Sequence, residues 1–217
     1  MSTNQPALPP TDGTAPAKCS KCERPMSTPL VCDFCHALNP SAVGVDYFSL
    51  MSLPQRFDLT EEEIHDRFVT LNRHTHPDFH AGESPEAQSL SLKMSATIND
   101  AYRVLSDPAS RGDYLLELLG GASSAEEKSV PEGFLDTMMM MQEEIADATA
   151  EGNTEELQRI REVLQTQHDG LMRRTAGLFA DYEQAAACDY TRDDLLKELR
   201  RQLNAVSYVT KLISQTR

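Results

Sequence analysis

Pro77 separates two stretches of sequence in which apolar residues recur at intervals of three or four, the spacing typical of an amphipathic helix. In the first stretch, Thr60 and Glu63 have the spacing of an N-terminal capping box, which predicts a helix from about 60 to 75. Because Pro77 cannot continue that helix and disfavours helical geometry in the residue before it, His76 should lie just past the helix end. A second helix should stop near Asp107. The apolar positions are Ile64, Phe68 and Leu71 in the first helix and Ala87, Leu90, Met94, Ile98, Ala101 and Leu105 in the second.

The C-terminal part of the chain also has helical periodicity, and no strand pattern is found outside the cysteine-bearing segment. Gly120-Gly121 and a Ser/Glu-rich stretch as far as Pro131 indicate a linker. Thr154 is predicted to cap the middle helix, and Thr191 with Asp194 to start the last. The fold is therefore expected to be mostly α, ending in a three-helix bundle. Its apolar positions are Phe134, Leu135, Met138, Met141 and Ile145; Leu157, Ile160, Leu164, Leu171 and Leu178; and Leu195, Leu199, Leu203, Val206 and Leu212.

The charge balance of the chain excludes several classes of partner. Asp and Glu number 34 against 20 Lys and Arg, giving a net charge of −14, which would repel a nucleic-acid backbone. No apolar stretch approaches the length of about 18 residues needed to span a bilayer, and the first residues lack the features of a secretory signal. We therefore expect neither a nucleic-acid partner nor a membrane partner.

Four of the five cysteines form two close pairs within 17 residues, in the pattern Cys19-Ser-Lys-Cys22 and Cys32-Asp-Phe-Cys35. Each pair has the spacing of a metal knuckle, and four thiolates favour tetrahedral zinc, with iron as the main rival. Since all four positions would be taken by protein ligands, the predicted site is structural and holds one ion. Unligated thiols in a mobile segment are the alternative. His36 is interpreted as a bystander, and the isolated Cys188 as a small buried hydrophobe without a function.

The segment around Pro77 contains three histidines and an aspartate within seven residues, at His74, His76, Asp78 and His80. These residue types also suit a zinc or iron enzyme. That hypothesis has little support, because no second set of ligands and no nucleophile pair accompanies the segment. His74 and His80 are interpreted as solvated neighbours of a turn that stops a helix. The favoured interpretation is a binding turn centred on His76, Pro77 and Asp78, and not an enzyme.

The surroundings of this turn resemble the J domain. The resemblance is carried by the turn itself, by Asp46-Tyr47-Phe48-Ser49-Leu50 before it and by Ile98-Asn99-Asp100-Ala101-Tyr102-Arg103-Val104-Leu105 after it. Two further segments are similar to the HscB branch of J-domain co-chaperones, in the form that carries an N-terminal cysteine module. These segments are Arg111-Gly112-Asp113-Tyr114-Leu115-Leu116 and Cys32-Asp-Phe-Cys35-His-Ala-Leu-Asn39-Pro40. The resemblance covers about 19–217 and is strongest in 43–120.

This resemblance implies a co-chaperone that stimulates ATP hydrolysis by a DnaK- or HscA-type chaperone during iron-sulfur cluster assembly. The His76-Pro77-Asp78 turn would bind the chaperone, with Asp78 as the anchor, since an exposed carboxylate on a fixed turn can accept a guanidinium. In typical J domains the corresponding helix is strongly basic, but the stretch 61–75 has only Arg67 and Arg73 against four acids. Weak electrostatic steering favours a dedicated partner chaperone.

The resemblance also implies that the C-terminal bundle binds an IscU-type scaffold protein, which it delivers to the chaperone. Leu135, Met139, Met140 and Glu143 align with the binding set of the family on the first bundle helix. For any single methionine of the run Met138–Met141, core packing is the more common role. The aromatic position of the family on the last helix aligns with Ala205, and a small register shift would bring Tyr208 there. A J-domain adapter, which recruits the chaperone to a different client through the cysteine module and the bundle, is the alternative.

The expected organisation follows from these segments. It comprises a disordered tail at 1–17, a four-cysteine zinc module of the knuckle or ribbon type at 18–42, the J domain at 43–120, a linker at 121–131 and the scaffold-binding bundle at 132–217. The tail is rich in Pro, Thr and Ala and buries little, so it should not order. The expected location is the cytoplasm, or the mitochondrial matrix in a eukaryote.

Overall fold

A computed structural model describes residues 18–26, 28–42, 44–185 and 190–217. Across these ranges the chain forms seven α-helices, two short 3₁₀ turns and no strand, which confirms the mostly α fold. The expectations for the tail at 1–17 and for Cys188 concern residues outside these ranges. The helices are α1 (Tyr47–Leu50), α2 (Glu61–Thr75), α3 (Pro85–Ser106), α4 (Pro108–Leu118), α5 (Phe134–Ala150), α6 (Thr154–Gln184) and α7 (Tyr190–Gln215).

The chain divides into two compact units with the boundary between Asp107 and Pro108. The first unit holds the cysteine segment and α1 to α3, and the second holds α4 to α7. Helix α4 therefore groups with the C-terminal helices, although it follows α3 after a single residue, Asp107.

Helix α2 begins and ends where its local chemistry requires. The Thr60 hydroxyl accepts a hydrogen bond from the Glu63 N–H, and the Glu63 carboxylate accepts one from the Thr60 N–H at 2.7 Å, which completes the predicted capping box. At the other end, His76 has an extended backbone with φ −62° and ψ 132°, as expected before Pro77.

Helices α2 and α3 pack against each other as an antiparallel hairpin. Midway along α2, the ring of Phe68 stacks on Tyr102 with centroids 4.2 Å apart, and at the end of α2 the carbonyl of Thr75 accepts a hydrogen bond from Ser91. A position later in α2 thus meets one earlier in α3, which defines the antiparallel order. The predicted hairpin is confirmed, and its buried positions include Ile64, Leu71, Met94, Ile98, Ala101 and Leu105.

In the second unit, α5, α6 and α7 form the predicted bundle, with α4 packed mainly on α7. The prediction that Thr154 caps the middle helix was wrong. The cap is Asn153, whose side-chain oxygen accepts a hydrogen bond from the Glu156 N–H, so Thr154 is the first helical residue. Adjacent Asn and Thr compete for this role, and Asn is the stronger capping residue. The bundle core includes Met138, Ile145, Ala148, Ile160, Leu164, Val209 and Leu212.

An ion pair that involves the buried guanidinium of Arg200 links α7 to α4. The side chain of Arg200 is 1% exposed, and its guanidinium pairs with the carboxylate of Asp113. A second nitrogen of the same group lies 3.4 Å from the carbonyl oxygen of Ala122. Burial of an arginine requires such partners, because the unpaired charge would be costly to remove from water. Within the described ranges, no helix combines the length and the apolar composition required to cross a membrane.

Candidate functional site

The His76-Pro77-Asp78 turn holds an exposed carboxylate on a short, hydrogen-bonded backbone. Pro77–His80 forms one 3₁₀ turn, and the Nδ1 atom of His76 accepts a hydrogen bond from the Asp78 N–H at 3.3 Å. The Phe79 N–H donates to the His76 carbonyl at 3.0 Å. The Asp78 side chain is 90% exposed, and the next residue, Phe79, is 70% exposed. The turn therefore presents a carboxylate and an aromatic ring side by side to solvent.

His80 anchors this turn from inside, which corrects its interpretation as a solvated residue. It is 5% exposed, and its Nε2–H donates to the His74 carbonyl at 2.9 Å. Its Nδ1 lies 3.2 Å from the Glu83 carboxylate. Sequence reasoning missed this role because burial depends on contacts that local polarity does not indicate. The carbonyl at the end of a helix needs a partner, and the loop supplies one.

The histidines of the turn form no metal site. In the part of the chain that the structure describes, the one group of three or more His, Cys, Asp and Glu that could hold an ion is the four-cysteine cluster. The Nε2 of His80 is engaged by a backbone carbonyl, and His74 stacks on another ring. The hypothesis of a histidine-metal enzyme therefore has no support in this arrangement.

The sulfur atoms of the four predicted cysteines form one cluster. Their sulfur atoms all lie within 4.8 Å of one another, with Cys19 to Cys35 at 3.6 Å and Cys22 to Cys32 at 3.5 Å. A tetrahedral ion with metal–sulfur bonds of about 2.3 Å separates its ligands by about 3.8 Å, so the cluster fits one ion. These distances are too long for a disulfide bond, and the four thiols are free.

The thiols of the first pair differ sharply in acidity. Backbone N–H groups of Cys22 and Lys21 lower the pKa of Cys19 to about 6. The Arg24 N–H favours the thiolate of Cys22 as well, but burial and the neighbouring sulfurs outweigh it and raise the pKa of Cys22 to about 12. Four sulfurs this close cannot all be ionised unless a cation neutralises them, so binding of an ion releases protons.

His36 lies outside the four-cysteine cluster, in agreement with its interpretation as a bystander of the metal site, but it contacts the α2–α3 hairpin. Its ring lies parallel to that of His74, with centroids 5.0 Å apart and an angle of 5° between the planes. Burial is the largest cause that lowers the pKa of His74, with His36 and Arg73 acting in the same direction and Asp33 against them. The sequence offered no signal for this pair, because its members are 38 positions apart.

On α5, the candidate scaffold-binding residues lie on the exposed side of the helix. Leu135 is 49% exposed, Met139 58% and Met140 57%, and Glu143 is also exposed. The expectation of core packing holds for Met138, which is fully buried, but is wrong for Met139 and Met140. Four consecutive helical positions surround the axis, so they cannot all face one core.

Two positions on α7, Ala205 and Tyr208, are candidates for the aromatic position of the family, and Tyr208 is the one that reaches this region. Ala205 is fully buried, whereas the Tyr208 ring makes an edge contact with Phe134 at 5.9 Å. The Tyr208 hydroxyl donates to Gln142 on α5 at 3.4 Å. Gln142 follows Met139 by three positions, so the hydroxyl borders the exposed apolar face.

Comparison with known proteins gives two family matches that together cover most of the chain. Residues 46–114 match the DnaJ domain, and residues 130–213 match the HSCB C-terminal oligomerisation domain. The first match contains the His76-Pro77-Asp78 turn, and the second contains the exposed face of α5.

Individual relatives extend this similarity. The chain is 30% identical over 161 residues to the HscB homolog of Neisseria gonorrhoeae, covering 73% of this chain and 97% of that protein. It is 36% identical over 135 residues to the mouse iron-sulfur cluster co-chaperone HscB, covering 58% of this chain but only 55% of the mouse protein. The crystal structure of human HscB has a TM-score of 0.74 at 27% identity and covers 92% of this chain and 96% of that one. On these matches, the chain belongs to the HscB family of J-domain co-chaperones.

Proposed function

We infer that this co-chaperone stimulates ATP hydrolysis by a DnaK- or HscA-type chaperone and delivers to it an IscU-type scaffold for iron-sulfur cluster assembly. The mouse relative is named an iron-sulfur cluster co-chaperone, and relatives occur in bacteria and mammals. We therefore assign the chain to the bacterial cytoplasm or, in a eukaryote, to the mitochondrial matrix.

The observation that carries the proposal is the Asp78 carboxylate, which is 90% exposed on a turn held by backbone hydrogen bonds. A carboxylate in this setting can accept two hydrogen bonds from an arginine of the chaperone. Because His76 and Pro77 already restrict the turn, little conformational entropy is lost when the partner binds. The chemistry of ATP hydrolysis itself belongs to the chaperone, and the turn acts on it by binding.

The charges of α2 favour a dedicated chaperone. Of its two arginines, Arg73 is exposed, but Arg67 is half-buried, and burial lowers its pKa. Three glutamates occupy the first turn of the helix. Long-range attraction to an acidic chaperone surface should therefore be weak, and short-range contacts at Asp78 and Phe79 should contribute most to recognition.

We propose that the scaffold binds the exposed apolar face of α5, formed by Leu135, Met139 and Met140 and bordered by Glu143. Flexible methionine side chains adapt to the surface of a partner, and contiguous exposed apolar residues commonly mark an interface. Tyr208 is the aromatic residue that we place at the edge of this contact, because its hydroxyl reaches Gln142.

For the cysteine site we propose one structural zinc ion held by Cys19, Cys22, Cys32 and Cys35. The spacing of the sulfurs supports a tetrahedral ion, and four protein ligands leave no position for a catalytic water. Iron has the same ligand preference, so elemental analysis of the purified chain must distinguish the two metals.

The proposal is tested by steady-state ATP hydrolysis of the matched chaperone, measured with the chain, with the scaffold and with both together. We expect stimulation by the chain alone and a greater effect when the scaffold is present. Stimulation that the scaffold does not change, together with capture of another client by the chain, would instead support the adapter function.

A further inference from the structure

The cysteine module contains the same backbone knuckle twice. In the first copy, the Glu23 N–H donates to the Cys19 carbonyl at 2.9 Å, and the Cys19 N–H to the Arg24 carbonyl at 2.8 Å. In the second, the His36 N–H donates to the Cys32 carbonyl and the Cys32 N–H to the Ala37 carbonyl, both at 3.0 Å. Glu23 and His36 are therefore equivalent positions, each directly after the second cysteine of its pair.

Both equivalent residues have a left-handed backbone, with φ of 58° at Glu23 and 55° at His36. Residues other than glycine seldom adopt this conformation, so the knuckle must hold it in place. Binding of an ion by the two cysteines that precede each of these positions would fix this geometry further, because the metal restrains each knuckle at both of its cysteines. The direction of the His36 side chain therefore depends on the state of the metal site.

The two equivalent side chains differ in what they contact. Glu23 is exposed, whereas the His36 ring stacks on His74 with centroids 5.0 Å apart, within the range for offset aromatic stacking. His74 lies in the last turn of α2, two positions before His76. Its carbonyl also accepts the hydrogen bond from His80, which anchors the other end of the turn.

We propose that the metal-bound cysteine module positions the His76-Pro77-Asp78 turn through the stacking of His36 on His74. On this account His36 and His74 are positioning residues, and the metal site is coupled to chaperone binding. Loss of the ion releases the second knuckle, weakens the stack and allows the end of α2 to move. The consequence for ATPase stimulation rests on the proposed function, but the ordering of the turn does not.

Amide hydrogen exchange of His76 and of residues 78–81 in the full chain tests this coupling, with Zn²⁺ bound and after its removal by a chelator. The test variant is His36→Asn, since asparagine tolerates the left-handed backbone but has no ring. Glu23→Asn makes the same change at the equivalent position. With zinc bound, we expect exchange in the turn to be about two- to tenfold faster in His36→Asn and unchanged in Glu23→Asn.

Combining zinc removal with the His36 substitution gives a stricter test of the coupling. Zinc removal should accelerate exchange in the wild type and in Glu23→Asn, but should add little in His36→Asn, because the stack is already lost. His36→Phe, which retains an aromatic ring, should restore most of the protection. Equal exchange in His36→Asn and Glu23→Asn, or an undiminished effect of zinc removal in His36→Asn, would overturn the proposal.

Two accompanying measurements separate the possible reasons for failure. The zinc content of both asparagine variants should match the wild type, which shows that the module still folds. ATPase stimulation should then fall in His36→Asn and persist in Glu23→Asn. If exchange responds as expected but the wild-type chain stimulates no matched chaperone, the proposed function is wrong while the coupling between the module and the turn stands.

Discussion

The Nε2 atom of His80 lies 2.9 Å from the carbonyl oxygen of His74, so the last turn of α2 and the far end of the Pro77 turn are directly joined. This hydrogen bond is part-buried, and the imidazole is 5% exposed. The two residues flank Asp78 in sequence. The position of the exposed carboxylate therefore depends on an interior contact.

Replacing His80 by phenylalanine should loosen the turn while keeping a ring of similar size. The His74 carbonyl would lose its donor, at a cost of about 1–2 kcal/mol in the local stability of the hairpin. Hydrogen exchange of α2 and α3 amides measures this change. Glu83→Ala is the control. The Glu83 carboxylate faces the Nδ1 atom of His80 and is 45% exposed, so its removal should lower the stability of the hairpin by at most about 0.5 kcal/mol. Unaltered exchange in His80→Phe would show that the hydrogen bond does not hold the turn.

The capping box of α2 should make the stability of the first unit sensitive to acid. Hydrogen bonds from the Thr60 backbone and hydroxyl lower the pKa of Glu63 below its ordinary value of 4.5. Since the folded pKa is depressed, the ionised group stabilises the fold above pH 4.5, and that contribution is lost as the pH falls through the folded pKa.

The measurement is the difference in unfolding free energy between wild type and Glu63→Gln, from urea titrations between neutral pH and strong acid. We expect a difference of about 0.5–1 kcal/mol that is constant at neutral pH and shrinks in acid. The same comparison in a Thr60→Ala background should have a weaker pH dependence. A difference that grows as the pH falls would contradict the account.

Removal of one ligand should abolish metal binding at the cysteine site. Mass spectrometry of the native chain should give one ion per chain for the wild type and none for Cys32→Ser. Affinity should also fall as the pH is lowered, because protons compete for the sulfurs, including Cys22, whose pKa is raised to about 12. Cys188→Ser, outside the four-cysteine pattern, is the control and should retain the metal. Retention of the ion by Cys32→Ser would refute the four-sulfur site.

Alanine substitutions at the neighbouring Met138 and Met139 of α5 should affect different properties, namely the stability of the bundle and the binding of the scaffold. Met138→Ala removes a fully buried side chain and should destabilise the bundle by about 2–5 kcal/mol. Met139→Ala should leave stability nearly unchanged and weaken scaffold binding about five- to thirtyfold, as expected for an important interface residue. Leu92→Ala, on α3, is the matched control for binding, with 59% exposure against 58% for Met139. Scaffold affinity that is equal in Met139→Ala and Leu92→Ala would remove this face from the interface.

Features that depend on neighbours in sequence could be predicted. The start of α2 at a capping box and the extended His76 before Pro77 follow from chemistry within a few residues. The long-range contacts could not be predicted in this way. Arg200 and Asp113 are 87 positions apart, and the pattern on α7 does not distinguish this buried arginine from its exposed neighbour Arg201.

In the candidate sites too, features set by local sequence spacing could be predicted and those set by tertiary packing could not. The four cysteines were predictable because each pair has metal-ligand spacing, and the spatial cluster contains all four. In the methionine run of α5, by contrast, the orientation depends on how the helix packs in the bundle. The contacts of His36, His74 and His80 depend on tertiary packing in the same way, and local polarity led to the wrong interpretation of His80, which is buried.

The most direct test of the account is the rate of ATP hydrolysis by the matched chaperone in the presence of wild type, Asp78→Asn and Asp181→Asn. The Asp78 change keeps the shape of an exposed side chain but removes its charge, and Asp181 is an exposed aspartate on α6. We predict that Asp78→Asn retains no more than about a tenth of the stimulation, because the charge-assisted contact is lost, and that Asp181→Asn stimulates fully. Stimulation by Asp78→Asn equal to that by the wild type would contradict the central claim.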